Sequence, residues 1–223
     1  MDVVFLMDRF GYAKTVDVSV YERNKEAADT ENRYILTCKN TDKICIFTNK
    51  GQMHLLKVLD LPYGKFRDKG IPIDNLSNYD SSEENFIYII NLGAIIHSRL
   101  LFGTKTAMLK MVDGSEFDVA KRTTASTKLN EDDELLIVHA MTGEETVVMQ
   151  SEKEMFLRIE ASTIPEKKKG AVGVRGMKLN AGDALSNIYV LDGENEQTVE
   201  VKGKEVVLNR LRVGNRDTKG TKR

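Results

Sequence analysis

The chain has 223 residues, of which 41% are hydrophobic and 30% are charged, and its formal net charge is −1. This composition is typical of a soluble globular protein, and no apolar run approaches the roughly 18 residues of a membrane-spanning helix. Met1 is not followed by a basic patch and an apolar segment, so no signal peptide is visible. A strand pattern begins directly after Met1, and we therefore expect a piece of a longer chain. The two cysteines, Cys38 and Cys45, are predicted to be reduced and buried rather than bridged.

Charge is unevenly distributed along the chain. Residues 1–78 carry 12 basic and 11 acidic side chains, residues 79–162 carry 8 and 15, and residues 163–223 carry 13 and 8. The net charges of these segments are therefore +1, −7 and +5. The asymmetry fits either a face that binds a polyanion or an ordinary solvated surface.

The first repeat opens with an apolar strand at Val3–Met7, turns at Asp8–Gly11 and returns along Tyr12–Val18. The polar stretch Tyr21–Asn32 follows, and because no apolar residues recur in it at helical spacing, we predict a loop there.

The second repeat is the most complete. Its hairpin turn contains Asn and Gly, which tolerate the positive φ that such turns require. Its outer strand is Tyr34–Cys38, and its hairpin strand Ile44–Phe47 leads through the turn Asn49–Gly51 to the return strand Met53–Val58. A Leu-Pro stop at Leu61–Pro62, a basic loop at Lys65–Gly70 and the start of another strand at Ile71–Ile73 follow.

The same order of elements returns three more times in less complete form. The later repeats open at Phe86–Ile90, Leu135–His139 and Asn180–Asp183, and their hairpins span Arg99–Val112, Thr146–Ile159 and Thr198–Val213. The five turns fall near Gly11, Gly51, Thr106, Lys153 and Gly203.

A period of roughly 40–50 residues with about four strands in each is the signature of a blade-like β repeat. We predict an all-β, propeller-like fold of about five four-stranded blades in a single domain. The repeats are placed at about residues 1–33, 34–78, 79–129, 130–179 and 180–223. A β-sandwich with accidental regularity is the alternative.

Basic loops recur at one position of the repeat. They carry Lys65, Arg67 and Lys69 in repeat two, Lys121 and Arg122 in repeat three, Lys167 to Lys169 in repeat four, and Arg216 and Lys219 in repeat five. Equivalent loops of a ring-like repeat fold emerge on one edge, so these charges should form a track along that edge. Lys and Arg beside glycines that allow close backbone approach suit phosphate groups. Binding of this kind is electrostatic, weakly sequence-specific and sensitive to salt.

Motifs for catalysis are few. The chain has no G-x-S-x-G elbow and no G-x-x-x-x-G-K-[ST] phosphate loop. His54, His97 and His139 lie in or beside predicted strands, without a second histidine at metal-ligand spacing. We expect packed or edge histidines, no metal site and no catalytic residue. The acidic run Glu131–Glu134 is predicted to be a solvated loop.

Four segments resemble the repeats of a known family. Phe10–Thr15, Phe47–Gly51, Lys69–Leu76 and Gly173–Leu179 are similar, in order and spacing, to the C-terminal domain of the A subunit of bacterial type IIA topoisomerases, DNA gyrase and topoisomerase IV. The resemblance covers essentially the whole chain. It implies a β-pinwheel, a propeller-like disc whose blades exchange strands, that binds and bends duplex DNA around a basic rim.

The resemblance also implies where the chemistry of the parent enzyme resides. Strand cleavage, ATP and Mg belong to other domains or subunits, so this domain would have no cofactor of its own. Its implied partners are double-stranded DNA, the rest of the A subunit, plus the B subunit. The implied location is the cytoplasm, at the bacterial nucleoid.

One difference separates members of this family. Gyrase carries a box of the form Q-R-R-G-G-[KR]-G after its first hairpin, whereas Tyr21–Ala28 in this chain has no glycine and contains acidic residues. The repeat count of about five is also lower than is usual for gyrase. Both features favour a topoisomerase IV-like domain that relaxes and unlinks DNA as part of its parent, with a gyrase domain that wraps DNA for negative supercoiling as the alternative.

Two readings from other classes stay open. A protein-interaction propeller is one of them, although the chain has no tryptophan and therefore no W-D dipeptide. An enzyme with its site in a central channel is the other, and the missing nucleophile and histidine constellations count against it.

The residues predicted to contact DNA are the basic side chains of the loops and their neighbours, while Lys110 in the acidic middle segment is expected to matter much less. The predicted contacts are Lys14, Arg23, Lys25, Lys50, Lys65, Arg67, Lys69, Lys121, Arg122, Lys167, Lys168, Lys169, Arg175, Arg212, Arg216 and Lys219.

Overall fold

The computed structural model describes residues 1–223, and its regular structure is mostly β. The strands are β1 Asp2–Met7, β2 Tyr12–Asp17, β3 Tyr34–Lys39, β4 Lys43–Thr48, β5 Gln52–Lys57, β6 Ile71–Pro72, β7 Phe86–Asn91, β8 Arg99–Thr104, β9 Met108–Asp113, β10 Thr123–Ala125, β11 Leu135–Met141, β12 Thr146–Ser151, β13 Met155–Glu160, β14 Val174–Arg175, β15 Leu185–Leu191, β16 Thr198–Val201, β17 Lys204–Val207 and β18 Thr221–Lys222. The helices are α1 Val18–Arg23, α2 Lys25–Glu31 and α3 Leu92–Ile95. Short 3-10 turns lie at Val58–Asp60, Ile73–Asn75, Gly114–Phe117, Ala161–Thr163 and Leu208–Arg210.

The strands form four antiparallel sheets of four strands each, and the fifth hairpin stands as a sheet of two. The strand orders are β3-β1-β2-β6, β7-β4-β5-β10, β11-β8-β9-β14, β15-β12-β13-β18 and β16-β17. Every four-stranded sheet has a hairpin at its centre. One edge is the strand that directly precedes the next hairpin in the chain, and the other is a short strand that comes after that next hairpin. The all-β, strand-exchanging pinwheel is thereby confirmed, with two strands rather than four in the fifth repeat.

The outer strands pair differently from the sequence-based assignment. We predicted Tyr34–Cys38 as the outer strand of the second repeat, but β3 pairs with β1 of the first, with Val4 opposite Thr37. Likewise β7, predicted to open the third repeat, pairs with β4 of the second. The apolar alternation of a strand shows which face it buries, whereas its partner is set by long-range backbone hydrogen bonds, which leave no local pattern.

The chain divides into two units, each with its own core. Unit 1 comprises Met1–Thr48, Gln52–Ile96 and Phe117–Ser126, and unit 2 comprises Asn49–Gly51, His97–Glu116 and Thr127–Arg223. In unit 1, fully buried Phe5, Ile46 and Ile73 belong to one apolar cluster. In unit 2, fully buried Leu109 and Met149 belong to a second apolar cluster. Whether the units behave as the single domain that we expect stays a prediction.

Helices α1 and α2 correct the prediction of a loop after the first hairpin. Both are short, six and seven residues, and only Ala28 within them is fully buried. Ala28 packs in a small cluster with Val4, Leu6 and Val16 of the first hairpin. Val18, Val20 and Tyr21 of α1 pack against the same cluster while partly exposed. Tertiary packing therefore stabilises these helices, and the polar stretch from Glu22 onward carries only one buried anchor, too little to show a helical period in the sequence.

The cysteines are free and buried, as predicted. Burial raises the pKa of Cys38 to about 11 and that of Cys45 to about 12, with the nearby Asp42 carboxylate adding to both shifts. Both thiols are therefore protonated near neutral pH. The structure contains no helix whose length and apolar character would let it span a membrane.

Candidate nucleic-acid interface

The first basic loop, Lys65–Gly70, is fastened to the second strand of the first hairpin, in unit 1. The Thr15 N–H donates to the Pro62 carbonyl at 2.9 Å, and the Gly64 N–H donates to the Thr15 carbonyl at 3.3 Å. Within the loop, the Lys65 N–H donates to the Asp68 carboxylate at 2.9 Å. The loop thus has a fixed turn of its own before it reaches β6.

Three cations of this loop are exposed: Lys65, Arg67 and Lys69. The Lys69 Nζ lies 4.4 Å from the centroid of the Tyr12 ring, a cation–π contact. Asp68 is the one acid among them and is engaged inside the turn. The loop therefore offers at least two unengaged, solvated cations, Lys65 and Arg67.

Lys14, predicted as a DNA contact, lies beneath this loop rather than on its outer face. Its Nζ donates to the carbonyl oxygens of Phe66 and Asp68, the latter at 2.6 Å. It also lies 5.0 Å from the centroid of the Phe66 ring. Burial lowers the pKa of Lys14, and nearby carboxylates, Glu31 first, oppose that shift. The position suits support of the loop better than contact with a ligand.

The second basic loop, Lys167–Gly170, is fastened in the same way in unit 2. The Met111 N–H donates to the Pro165 carbonyl at 3.0 Å, and the Lys167 N–H donates to the Met111 carbonyl at 2.8 Å. Lys167 and Lys168 are exposed. Lys169 is half-buried, and its Nζ donates to the Glu116 carbonyl at 3.1 Å. Two of the three predicted cations therefore face solvent freely.

The third basic loop, Arg212–Gly220, uses part of its charge internally. Arg216 donates to the carbonyls of Thr163 at 3.3 Å and Arg175 at 2.9 Å. Arg175 itself forms an ion pair with Asp217, which lowers the pKa of that carboxyl through a hydrogen bond. The exposed cations left in this loop are Arg212 and Lys219.

The remaining predicted contacts lie on other elements. Arg23 and Lys25 are exposed on α1 and α2, and Lys25 is paired with Asp29 at 2.5 Å. Lys50 lies 3.4 Å from Glu134 in unit 2. These two ion pairs are exposed, so they are easily exchanged for other partners.

Lys121 and Arg122 line a cleft of about 260 Å³ in unit 1 together with two lysines that the sequence analysis missed, Lys43 and Lys57. Lys43 and Lys57 are directly opposite each other in the β4–β5 ladder. Asp60 is the one acid in the lining. The sequence shows that Lys43 and Lys57 lie at the two ends of one hairpin, but the strand register is needed to recognise that they lie opposite each other.

Helices α1 and α2 follow the first hairpin, the place at which the family resemblance implies a glycine-rich box in gyrase. This segment contains Glu22, Glu26 and Glu31 as well as Arg23 and Lys25, and all five are exposed. It contains no glycine. A short helical pair of mixed charge therefore stands where clustered donors on an open backbone would be needed to hold phosphates.

No group of three or more His, Cys, Asp or Glu side chains is placed to hold a metal ion. His54 is buried between the Thr123 hydroxyl and the Glu84 carboxylate, each 2.9 Å from a ring nitrogen. His97 and His139 are exposed.

Comparison with known proteins converges on one family. Residues 98–140 and 145–192 match the family model of the DNA gyrase C-terminal domain, beta-propeller. The DNA gyrase A subunit of Lawsonia intracellularis is 28% identical over 98% of the chain and 29% of its own length. The DNA gyrase A subunit of Staphylococcus epidermidis is 29% identical over 99% of the chain and 26% of its own length. The chain thus spans less than a third of each relative.

Three solved structures share the fold. The C-terminal domain of DNA topoisomerase IV superposes with a TM-score of 0.87 at 22% identity, covering 99% of this chain and 72% of that one. The E. coli ParC C-terminal domain gives 0.79 at 14% identity, covering 100% and 94%. The DNA gyrase A C-terminal domain gives 0.64 at 17% identity, covering 99% and 76%. By sequence the chain is thus similar to the C-terminal region of DNA gyrase A subunits, and by fold it is similar to the C-terminal domains of topoisomerase IV and DNA gyrase A.

Proposed function

We propose that this domain binds duplex DNA through its basic loops, largely without regard to sequence. The observation that carries the proposal is the repeated loop itself. After a Leu-Pro or Ile-Pro stop, the chain forms a turn fastened to the neighbouring hairpin and displays Lys65 and Arg67 in one repeat and Lys167 and Lys168 in another. Exposed cations on fixed turns at a recurrent spacing suit a regular row of phosphates.

The binding energy would come mainly from released counterions. Each phosphate neutralised contributes about 0.9 to the slope of log affinity against log salt. Extrapolated from 1 M to 0.1 M salt, one contact is then worth about 8-fold and two contacts about 60-fold in affinity. A domain that uses two cations in each of several loops would therefore bind strongly at low salt and weakly at high salt.

We place the parent enzyme on the topoisomerase IV side, where the domain presents DNA for relaxation and decatenation. The helical pair α1–α2 supports this proposal, because it replaces the glycine-rich box by a segment of mixed charge. Bending DNA by 40–90° costs on the order of 1–6 kcal/mol. The basic loops suit modest bending, whereas stable chiral wrapping would need a further clamp.

A gyrase domain is the second candidate, and the relatives named as gyrase A subunits favour it. In either case the domain would work beside the rest of the A subunit, together with the B subunit. We propose that ATP and Mg act there rather than in this domain, and that the enzyme works at the nucleoid in the cytoplasm.

The proposal of DNA binding is tested by paired charge reversals. Lys65→Glu with Arg67→Glu, or Lys167→Glu with Lys168→Glu, should lower affinity for a short duplex by about 60-fold or more at 0.1 M salt and flatten the salt slope by about 1.8. Lys202→Glu with Lys204→Glu is the matched control, since both lysines are exposed on the fifth hairpin outside these loops. Equal losses in all three variants would refute a role for the loops.

Lys110 is not a suitable control, contrary to the sequence-based expectation that it lies on the acidic surface. It is 1% exposed and hydrogen-bonded beneath the second basic loop. The second basic loop covers the face of the sheet to which Lys110 points.

The choice between the two enzymes is tested with a nicked DNA circle. The domain is bound, the nick is sealed with ligase, the protein is removed and the trapped linking difference is counted. A small difference that does not grow with protein concentration supports the topoisomerase IV-like assignment. A large positive difference that rises with protein concentration supports the gyrase alternative.

A further inference from the structure

A basic residue recurs at the third position of the second hairpin strand. It is Lys14 in β2, His54 in β5 and Lys110 in β9. In β13 the same position holds Leu157. The position lies within the sheet, and Lys110 and His54 are 1% and 3% exposed. A buried cation without partners would be costly, so its partners indicate why it is there.

Lys110 is enclosed by the second basic loop. Its Nζ donates to the carbonyl oxygens of Lys168 at 3.0 Å, Lys169 at 3.1 Å and Ala171 at 2.6 Å. All three donor sites of the ammonium are therefore used on the backbone of one loop. Phe102 of β8 completes the enclosure, with its ring centroid 5.5 Å from Nζ.

Lys14 makes the equivalent contacts in unit 1. The isolated bridges Thr15 to Tyr63 and Met111 to Glu166 set the two loops in register, because each lysine directly precedes the bridged strand residue. In that register Phe66 corresponds to Lys169, and Asp68 corresponds to Ala171. The carbonyls that Lys14 binds are thus the counterparts of two of those bound by Lys110.

The other two sheets lack this device. Leu157 of β13 cannot donate to the third basic loop, which is instead fastened through Arg216 to the carbonyls of Thr163 and Arg175. His54 of β5 is bonded to the Thr123 and Glu84 side chains rather than to loop carbonyls. The arrangement therefore belongs to the first and second basic loops.

We propose that buried Lys110 and half-buried Lys14 are positioning residues, whose ammonium groups gather the carbonyls of the basic loops inward and so hold the exposed Lys and Arg side chains of these loops outward toward phosphates. The ligand class is the phosphate backbone, so the affinity part of this inference rests on the proposed function. The part that concerns loop shape does not.

Protonation links this device to pH. Burial lowers the pKa of Lys110 to about 8, and the nearby Glu116 carboxylate opposes the shift. The charged group that acts on it is Glu116 on the following 3-10 turn. Lys168 and Lys169 present their backbone carbonyls, and β8 presents Phe102. As the pH rises through about 8 the ammonium becomes an amine with two donors, which cannot satisfy three carbonyls.

The first test measures the loop without DNA. In the isotope-labelled 223-residue chain, the carbonyl ¹³C signals of Lys169 and Ala171 should titrate together with a midpoint near pH 8. Lys110→Met keeps the stem, removes the charge and should abolish this titration. Leu157→Met, at the same strand position in β13, is the matched control and should retain it. Signals that stay flat between pH 7 and 9 in the unsubstituted chain would overturn the inference, whether or not the variant folds.

The second test measures affinity for a short duplex at 0.1 M salt. Lys110→Met should bind about 8- to 60-fold more weakly than Leu157→Met, the loss of one or two phosphate contacts. The unsubstituted chain should also lose affinity between pH 7 and 9, while Lys110→Met should not. Equal affinity and equal pH profiles would refute the link to DNA. If the unsubstituted chain binds no DNA, the proposed function fails, and the carbonyl titration alone decides whether Lys110 shapes the loop.

Discussion

Gly173, at the end of the second basic loop, offers a sharp stability test of how this loop meets its sheet. Its φ is +108°, and a Cβ placed there would lie 2.6 Å from the carbonyl oxygen of Leu109 and 3.1 Å from the carbonyl carbon. Both atoms are backbone atoms of β9, which pairs with β8 on one side and β14 on the other. Neither atom can rotate away, so Gly173→Ala must displace the loop or the strand.

The expected cost of Gly173→Ala has two parts. A non-glycine residue at strained φ costs about 1–3 kcal/mol. Forcing an extra methyl group into close-packed surroundings costs about 1–3 kcal/mol. The free energy of unfolding should therefore fall by about 2–6 kcal/mol, a large part of the 5–15 kcal/mol typical of a folded domain.

Urea unfolding followed by circular dichroism measures this loss, and the chain supplies two matched controls. Gly170 lies in the same loop with nothing within 4 Å of an added Cβ and no positive φ, so Gly170→Ala should change stability by less than about 0.5 kcal/mol. Gly193 has φ +85° and open space, so Gly193→Ala should show the strain part alone, about 1–3 kcal/mol. If Gly173→Ala unfolds at the same urea concentration as Gly170→Ala, the close approach to β9 is refuted.

Three further perturbations test other contacts. Glu134 accepts a hydrogen bond from Lys105, which lowers the pKa of Glu134, so Glu134→Gln should reduce the free energy of unfolding by about 0.5–1 kcal/mol at pH 7. This difference should vanish as the pH falls below the ordinary glutamate pKa of about 4.3 and through the lowered pKa of Glu134. An unchanged difference at pH 3 would contradict the reasoning. Cys38 and Cys45 should react with a thiol reagent at pH 8 no faster than the protein unfolds, because burial raises the pKa of both, and rapid labelling of the folded chain would contradict this. Phe66→Ala should cost about 1–3 kcal/mol and speed amide exchange in α1–α2, since its half-buried ring packs against that cluster; unchanged exchange would show that the ring does not anchor the loop there.

Hairpins were the part of the fold that local sequence determined. Lys43–Thr48 and Gln52–Lys57 carry β-forming apolar residues, and the turn between them contains a glycine at φ +73°. Strand propensity, alternation and turn chemistry all act within about fifteen residues, so they agree and can be read directly. The same reasoning located the basic loops, because a proline stop and a run of lysines are also local features.

The exchange of strands between repeats could not be predicted from such local features. The short strand β14 follows the fourth hairpin in the chain yet pairs with β9 of the third, and β6 likewise crosses to β2. Two-residue strands carry too little pattern to specify a partner. Their pairing is fixed by the length of the loop and by the glycine that lets its backbone reach the neighbouring strand, and both quantities become meaningful only once the sheets are in place.

The two roles of lysine in this domain show why the candidate site could be predicted only in part. Lys110 lies between Leu109 and Met111 in β9, so its side chain points to the opposite face of the sheet from theirs, where a lysine is ordinarily expected to be solvated. Here that face is covered by a loop that itself carries lysines, so one residue type serves as an internal donor and as an exposed charge. Composition and period treat these residues alike. The register between strand and loop separates them. It decides which lysine lies under the loop and donates to its backbone carbonyls, and which lysines of the loop face outward. A lysine at the third strand position of a hairpin, followed one repeat later by a proline stop and a basic loop, is therefore better interpreted as the support of that loop than as one of its contacts.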